Sequence, residues 1–327
     1  MTEHLRWGII STARINRKLI PAIRATERAE VIAVASRSRS RAIDYAAEWD
    51  IPRSYGSYEA LLDDADVDVV YVSLPNSLHA EWTARATEAG KHVLCEKPLA
   101  LSVPECDRII AAADASGVIA MEAIMVLYHP LLHKARQLVQ DGAVGAVKLI
   151  RSSFSFFLDR PADVRWDPTL GGGSLWDAGS YPVSFIRWIA GDPGEVFGWE
   201  TLSESGVDET FSGLLRHDSG VLGVFDCGFQ APYRSEAEIV GTDGSLLIEQ
   251  PYPISSESRL LLRPRGEDDY RVVAVAEKDA YRCEVEALTA AVLDGAPLAV
   301  PLTDSRSKVA TLAALYDSAR RGEPLNI

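Results

Sequence analysis

The sequence lacks the patterns that mark a disulfide-stabilised, zinc-binding or membrane-spanning protein. Its 4 cysteines show no two-residue spacing, so neither a zinc site nor a disulfide framework is predicted. No run reaches the roughly 18 apolar residues that a membrane span needs. The apolar run after Glu3, His4 and Arg6 is too short for the core of a signal peptide. We therefore expect a cytoplasmic protein with reduced cysteines, no metal and no membrane partner.

Positive charge is also scarce. The chain has 33 Lys and Arg against 47 Asp and Glu, which gives a net charge of -14. Phosphate backbones are bound by surfaces rich in Lys and Arg, so a nucleic-acid partner is not expected. The apolar content of 47% and charged content of 24% are ordinary for a globular protein, and 327 residues fit two domains of about 100 to 200 residues each.

The first third of the chain alternates short apolar runs with segments of helical periodicity. The predicted strands are residues 5–11, 31–36, 67–74, 93–96 and 118–122. The predicted helices are residues 14–26, 39–49, 77–89 and 106–116. Nearly continuous apolar strands separated by helices indicate a parallel sheet covered on both faces. Residues 1–122 therefore resemble the roughly six-stranded doubly wound Rossmann domain that binds dinucleotides.

The first strand-to-helix turn lacks the glycines of a dinucleotide fingerprint, because Ser11, Ala13 and Asn16 stand where glycine or alanine is expected. Small residues still permit close approach of a pyrophosphate, and the hydroxyls of Ser11 and Thr12 offer hydrogen-bond donors. A plain strand-to-helix turn is the alternative. The predicted cofactor contacts in this turn are Ser11, Thr12, Ala13, Arg14 and Ile15.

The second strand ends in Ser36 and Arg37, with Arg41 four residues further on. An acidic residue at this place holds the ribose of NAD, whereas arginine accommodates the 2'-phosphate of NADP. These three residues therefore favour NADP over NAD. A solvated basic turn is the alternative.

The third predicted strand is followed by a proline and a helix start. In such folds ligands bind at the carboxyl edge of the sheet, so residues at this edge are predicted to contact the cofactor. They are Leu74, Pro75, Asn76 and His79. For His79 the alternative is a histidine on the helix surface.

The fourth predicted strand ends in Glu96 and Lys97, followed by Pro98. A half-buried ammonium needs a partner or a shifted pKa, which makes Lys97 a candidate proton-transfer group. Glu96 is predicted to contact the cofactor with it. An ordinary strand-end lysine is the alternative.

The pattern changes after residue 122, and we assign residues 123–327 to a second domain. Its predicted strands are 148–157, 195–201, 210–216, 221–229, 236–241, 245–250, 260–263 and 271–276, and its predicted helices are 129–140, 175–190, 281–293 and 304–321. Short turns join several of these strands, which indicates a mostly antiparallel sheet. The free face of such a sheet is a plausible dimer surface.

A glycine triplet at 171–173 precedes a helical run that contains Asp177 and Tyr181. Spacing of four places both side chains on one helical face, where they can point into a cleft. The alternative is that Asp177 caps the helix and Tyr181 is a core aromatic. Arg165 and Trp166, just before the triplet, are candidates to reach the cofactor or substrate; a loop arginine and a packing tryptophan are the alternative.

Several segments together resemble the glucose-fructose oxidoreductase, inositol dehydrogenase and rhizopine-catabolism family. They are residues 72–76 with His79, 90–100, 121–123, 128–130 and 171–182. Within that family the chain is similar to the branch of NADP-dependent xylose dehydrogenases, dimeric dihydrodiol dehydrogenases and nucleotide-sugar 3-ketoreductases. The resemblance implies a catalytic Lys97, cofactor contacts from the first loop and Ser36-Arg37, and Tyr181 where many members have histidine. It also implies a homodimer or homotetramer formed through the C-terminal sheet.

Oxidising a sugar alcohol moves a hydride from carbon to the nicotinamide and a proton from oxygen to a base. An ammonium beside a tyrosine stabilises its phenolate, so Lys97 can activate Tyr181, or Lys97 can carry the proton while Tyr181 orients the hydroxyl. Asp177 is predicted to bind a substrate hydroxyl or to hold Lys97.

The predicted function is therefore an NADP-dependent oxidoreductase acting on a hydroxyl or keto carbon of a pyranose-type sugar. A trans-dihydrodiol dehydrogenase and a non-catalytic cofactor-binding sensor on the same fold are the alternatives.

Overall fold

The computed structural model describes residues 4–327, so Glu3 lies outside the described residues. They divide into two compact units, residues 4–125 with 280–306 and residues 126–279 with 307–327. Within residues 4–327, no helix combines the length and apolar character needed to cross a membrane.

The first unit is built on a parallel sheet, which in the described residues has 6 strands in the order β3-β2-β1-β4-β5-β6. The strands are β1 (Leu5–Ile10), β2 (Ala29–Ala35), β3 (Arg53–Tyr55), β4 (Val69–Val72), β5 (His92–Glu96) and β6 (Ala120–Ala123). The helices between them are α1 (Asn16–Ala25), α2 (Arg39–Glu48), α3 (Tyr58–Leu62), α4 (Asn76–Glu88) and α5 (Val103–Ser116). This arrangement confirms the predicted doubly wound Rossmann fold.

Burial explains why most of this sheet was predictable. All four residues of β4 are buried, and so are Trp7 of β1 and the central residues of β5. β3 is different, since its three residues Arg53–Tyr55 are only half-buried. It therefore carries no apolar run, and the sequence analysis did not identify it.

The second unit contains the larger sheet. Its elements begin with α6 (Pro130–Gln140), β7 (Val147–Ser155), α7 (Ser180–Ala190), β8 (Glu195–Leu202), β9 (Asp208–Arg216) and β10 (Leu222–Gly228). They continue with β11 (Arg234–Gly241), β12 (Gly244–Glu249), β13 (Arg259–Pro264) and β14 (Arg271–Val273). The chain closes with α8 (Ala280–Asp294), α9 (Leu302–Arg321) and β15 (Leu325–Asn326).

In the described residues this sheet has 9 strands in the order β14-β13-β12-β11-β7-β10-β9-β8-β15. β7 and β10 pair in parallel, whereas their other neighbours pair antiparallel. The sheet is therefore mostly antiparallel, as predicted.

The two units are not separated by a single boundary near residue 122, because each is made of two stretches of the chain. Residues 280–306, which the sequence analysis assigns to the second domain, cluster with the first unit because α8 packs against α1. Arg28 and Asp294 add an ion pair between these parts of the first unit.

Candidate active site

The first unit has its topological switch point between β1 and β4, where ligands bind in doubly wound folds. Ser11 follows β1 and adopts a φ of 96°, a left-handed conformation that favours glycine. Its hydroxyl donates to the carbonyl oxygen of Ser73, directly after β4, at 2.8 Å. The Ser73 hydroxyl lies 2.7 Å from Asn16 Oδ1, and Asn16 donates to the carbonyl of Ser11 at 3.0 Å. A buried side-chain network therefore holds the turn that glycines usually permit.

This network engages the side chain of Ser11. Its hydroxyl donates a hydrogen bond to the Ser73 carbonyl, and its oxygen accepts one from the amide of Ala13 at 3.1 Å. The Ser11 hydroxyl therefore shapes the loop, and its contact with a phosphate stays a prediction.

A cavity of about 550 Å³ opens beside the same loop. It is lined by Thr12, Ala13, Arg14, Arg17, Arg41, Asp44, Tyr45 and Glu48. Four of these were predicted cofactor contacts, and Ile15 lies next to them as the cap residue of α1. Two carboxylates also line the cavity, and Arg17 lies 3.7 Å from Glu48, but three guanidinium groups outnumber them and suit a phosphorylated ligand. Arg17 was missed, although helical periodicity places it on the first turn of α1 beside Arg14.

Ser36 and Arg37 lie at the carboxyl end of β2, as predicted. Ser36 is buried, and its hydroxyl accepts from the amide of Ser38 at 3.3 Å. Arg37 is exposed. Burial raises the pKa of the Tyr58 hydroxyl, and the Arg37 guanidinium beside it opposes that shift.

His79 lies between two backbone carbonyl groups, which the sequence did not reveal. It is buried, with Nδ1 2.7 Å from the carbonyl oxygen of Pro98 and Nε2 2.8 Å from that of Leu74. Burial lowers its pKa. Since both ring nitrogens face backbone carbonyls, His79 links the end of β4 to the Glu-Lys-Pro segment, and its contact with a cofactor stays a prediction. Pro75 and Asn76 are half-buried at the start of α4.

Two more bonds hold the segment around Lys97. The Tyr71 hydroxyl donates to Glu96 Oε1 at 2.5 Å, and the amide of Leu99 donates to Glu122 Oε1 at 2.8 Å. Tyr71 is fully buried, which raises its pKa. The Glu96 carboxylate thus accepts a hydrogen bond from a side chain buried inside the sheet. Lys97, half-buried, follows directly at the sheet edge.

In the second unit, Arg165 and Asp177 form an ion pair with Arg165 Nε 2.6 Å from Asp177 Oδ2. Arg165 also lies 3.1 Å from Asp163 Oδ1. The two carboxylates raise the pKa of the guanidinium, Asp177 having the larger effect. The sequence analysis expected Arg165 near the cofactor. It did not predict that Arg165 joins the two carboxylates, because all three residues lie near or in an irregular loop.

The helix predicted at 175–190 begins differently from expectation. Residues Leu175–Gly179 form a π turn, and α7 begins only at Ser180. Such turns are rare and are frequent at functional sites. A Cβ on Gly179 would lie 2.8 Å from Leu175 Cδ1 and 3.0 Å from Cys227 Sγ, so this wide turn packs directly on its neighbours.

Tyr181 lies on the first turn of α7 among aromatic rings. Its ring centroid is 5.5 Å from that of Phe154, edge to face, and 5.6 Å from that of Tyr252. Trp166 packs edge to face on Phe229 at 5.3 Å. Tyr181 is half-buried, so its ring is fixed while part of it stays accessible.

The two units therefore carry two organised sets of residues. The first unit combines an arginine-lined cavity with the anchored Glu-Lys-Pro segment. The second combines the Arg165–Asp177 pair with Tyr181. The facing of Lys97 and Tyr181 stays a prediction.

Comparison with known proteins agrees with this organisation. Residues 5–124 match an oxidoreductase family with an NAD-binding Rossmann fold, and residues 132–247 match the GFO/IDH/MocA C-terminal domain. D-xylose 1-dehydrogenase (NADP(+)) 2 of Haloferax volcanii is 39% identical over 326 residues, covering 99% of this chain and 100% of that protein.

Two further similar proteins carry other names. Trans-1,2-dihydrobenzene-1,2-diol dehydrogenase of Mus musculus is 34% identical over 251 residues, covering 75% of each chain. The crystal structure of a 3-ketoreductase from Actinomadura kijaniata in complex with NADP and TDP-benzene superimposes with a TM-score of 0.89 at 30% identity, covering 96% of this chain and 98% of that one. The protein belongs to the GFO/IDH/MocA oxidoreductase family.

Proposed function

We propose that this NAD(P)-dependent oxidoreductase transfers a hydride between NADP and a hydroxyl or keto carbon of a pyranose-type sugar or sugar derivative. The observation that carries the proposal is the anchored Lys97 segment. Tyr71 bonds the Glu96 carboxylate, and His79 and Glu122 bond the backbone of Pro98 and Leu99, so the segment is held on both sides of Lys97 at the ligand-binding edge of the sheet. Positioning of this kind is what general acid–base catalysis requires.

The residues of the first unit fit NADP. The arginines around the cavity and Arg37 supply positive charge beside the β2 end, where a 2'-phosphate is recognised. In the described residues that follow β2 directly, from Ser36 to Arg41, there is no carboxylate to repel that phosphate. When bound, the nicotinamide accepts or supplies the hydride. The NADP named for the H. volcanii and A. kijaniata relatives is consistent with this choice.

The protein's own contribution is binding, orientation and proton transfer. We assign the proton to the pair of Lys97 and Tyr181, since an ammonium beside a phenol stabilises the phenolate and the two groups titrate together. Asp177 is held by Arg165, which fixes the carboxylate for a substrate hydroxyl and balances its charge. In this scheme Arg165 positions Asp177, and the second domain, residues 123–327, binds the substrate.

One relative is named for a sugar, D-xylose, and another for a trans-dihydrodiol, so the reaction test includes both classes of substrate. Purified protein is mixed with NADP and, in separate reactions, with aldoses, inositols and trans-dihydrodiols, and NADPH formation is followed by its absorbance. We expect turnover with a pyranose. Turnover confined to dihydrodiols would replace the sugar by the alternative substrate. No turnover with any substrate and either nicotinamide would favour a sensor and contradict the proposal.

We further propose a cytoplasmic homo-oligomer formed through the sheet of the second unit. Trp199, Leu214 and Leu222 are exposed on β8, β9 and β10. Phe197 pairs with Leu214, and Leu214 with Val224, so apolar residues follow one another across the exposed face. An exposed apolar stripe of this kind favours burial against a second copy.

Replacing Leu214 with aspartate tests this surface. A carboxylate in the middle of a buried apolar contact is costly, so the variant should sediment as a monomer at micromolar concentration while the parent protein does not. Thr210→Asp is the matched control, because Thr210 is an exposed residue near the start of β9. A Leu214→Asp variant with the same sedimentation behaviour as the parent would contradict the proposal.

A further inference from the structure

A buried carboxylate lies beneath the segment that carries Asp177 and Tyr181. Asp208 is the first residue of β9 and is only 2% exposed. Its Oδ2 accepts from the Ser174 hydroxyl and from the backbone amide of Leu175, both at 2.7 Å. Its Oδ1 accepts from the Tyr316 hydroxyl at 2.6 Å. One carboxylate thus joins the strand β9, the helix α9 and the start of the π turn.

The backbone before the π turn packs directly on this carboxylate. Gly173 has a φ of 119°, which favours glycine. A Cβ at Gly173 would lie 2.1 Å from Asp208 Oδ1 and 2.7 Å from the Tyr316 hydroxyl, so no larger residue fits. The third glycine of the triplet is therefore required by the carboxylate, and not by flexibility of the loop.

The bond to Leu175 fixes the residue at which the π turn begins. Asp177 follows two residues later, and its amide donates to the carbonyl of Gly173 at 3.2 Å. Tyr181 follows on the first turn of α7. A shift at Leu175 would therefore move both side chains together.

We infer that Asp208, supported by Tyr316, is a positioning residue that anchors Ser174 and Leu175 and so sets where Asp177 and Tyr181 lie. This inference rests on the roles proposed above for Asp177 and Tyr181. Asp208 itself does not act on the substrate.

The charge state of this carboxylate gives the anchor a pH dependence. Burial raises the pKa of Asp208 to about 6, against the lowering effect of its three donors. The groups that face it are Tyr316 on α9, Ser174, the Leu175 amide, Glu200 on β8 and Cys227 on β10. Protonation leaves the Asp208 carboxyl with fewer acceptor positions for Ser174, Leu175 and Tyr316. Turnover should therefore fall as the pH drops through about 6.

Stability should respond in the opposite direction. The pKa of Asp208 is higher in the folded than in the unfolded protein, so the folded state binds this proton more tightly. Its contribution to stability is fully present below the unfolded pKa and is lost as the pH rises through the folded pKa. Acid conditions thus weaken the anchor without unfolding the protein through this group.

The test combines kinetics with hydrogen exchange in the full-length protein. Ser174→Ala removes one donor to Asp208. Ser318→Ala is the matched control, because Ser318 is equally buried and its hydroxyl bonds the Glu323 carbonyl and the Gly198 amide away from the segment. Asp208→Asn keeps an acceptor for Leu175 and Ser174 but does not titrate. Should Asp208→Asn not fold, Ser174→Ala alone decides.

We expect Ser174→Ala to lower kcat about 10- to 100-fold with an unchanged KM for NADP, since small displacements of a catalytic group have effects of this size. Amide exchange in residues 173–181 should quicken, and Asp208→Asn should lose the fall in kcat near pH 6. Ser318→Ala should leave kcat and amide exchange in residues 173–181 unchanged, even if it lowers Tm as much as Ser174→Ala does. Unchanged exchange in Ser174→Ala, or an equal loss of kcat in Ser318→Ala, would overturn the inference.

The same data separate this inference from the proposed function. Faster exchange in Ser174→Ala, together with full turnover in both Ser174→Ala and Tyr181→Phe, would contradict the proposed role of Tyr181 and still support anchoring by Asp208.

Discussion

Replacement of Lys97 by methionine should lower kcat by about two to four orders of magnitude, the range lost with a general acid or base, and leave NADP binding nearly unchanged. Methionine keeps the length and most of the volume of the lysine stem but removes the ammonium. Tyr71, through the Glu96 carboxylate, and His79 and Glu122, through the backbone, hold this segment without the lysine ammonium, so it should keep its conformation. Steady-state kinetics and NADPH fluorescence titration measure the two effects separately.

Lys18→Met is the matched control for this variant. Lys18 is an exposed residue of α1 in the same unit, so its loss changes the net charge equally and leaves the sheet edge intact. Turnover of Lys97→Met within a few-fold of the parent would remove Lys97 from the mechanism. Loss of turnover in both variants would point to net charge instead of proton transfer.

Replacement of Arg37 by aspartate should weaken NADP binding about 10- to 100-fold, since a hydrogen bond to a charged group contributes about 1.5–3 kcal/mol. NAD lacks the 2'-phosphate, so its affinity should change little or improve. The reason is positional, because Arg37 is an exposed cation directly after β2 beside the Tyr58 hydroxyl. The ratio of kcat/KM with NADP to kcat/KM with NAD measures the switch.

Arg39→Asp makes the same change of charge two residues away. The Arg39 guanidinium donates to the carbonyl oxygen of Ser54 at 2.9 Å and is therefore already engaged. We expect this control to keep most of the NADP preference. Equal losses with NADP and NAD in Arg37→Asp, or an equal switch in Arg39→Asp, would contradict the use of Arg37 as the phosphate ligand.

The sequence predicted the parts of the site that depend on local pattern. Apolar runs located the strands, and the strand ends located Ser36, Arg37, Glu96 and Lys97 at the carboxyl edge of one sheet. The family resemblance, now confirmed, added the branch of xylose dehydrogenases, dihydrodiol dehydrogenases and sugar 3-ketoreductases. In each case the signal lies within a few consecutive residues.

The parts that were not predicted depend on distant partners. Ser11 adopts a left-handed conformation that favours glycine, and its hydroxyl bonds the carbonyl of Ser73, 62 residues away. Asp208 is separated by 33 residues from Leu175 and by 108 from Tyr316, so no spacing rule could identify the anchor. The position of His79 on its helix also gave no sign of the two backbone carbonyls that flank its ring.

The central claim is that Lys97 and Tyr181 share one substrate oxygen beside the nicotinamide. A crystal structure of the protein with NADP and a pyranose that it turns over tests this claim most directly. We expect Lys97 Nζ and Tyr181 Oη both to lie within hydrogen-bond reach of the reacting oxygen, about 2.6–3.2 Å. A complex in which the two groups lie in separate places, or in which either one faces away from the substrate, would contradict it.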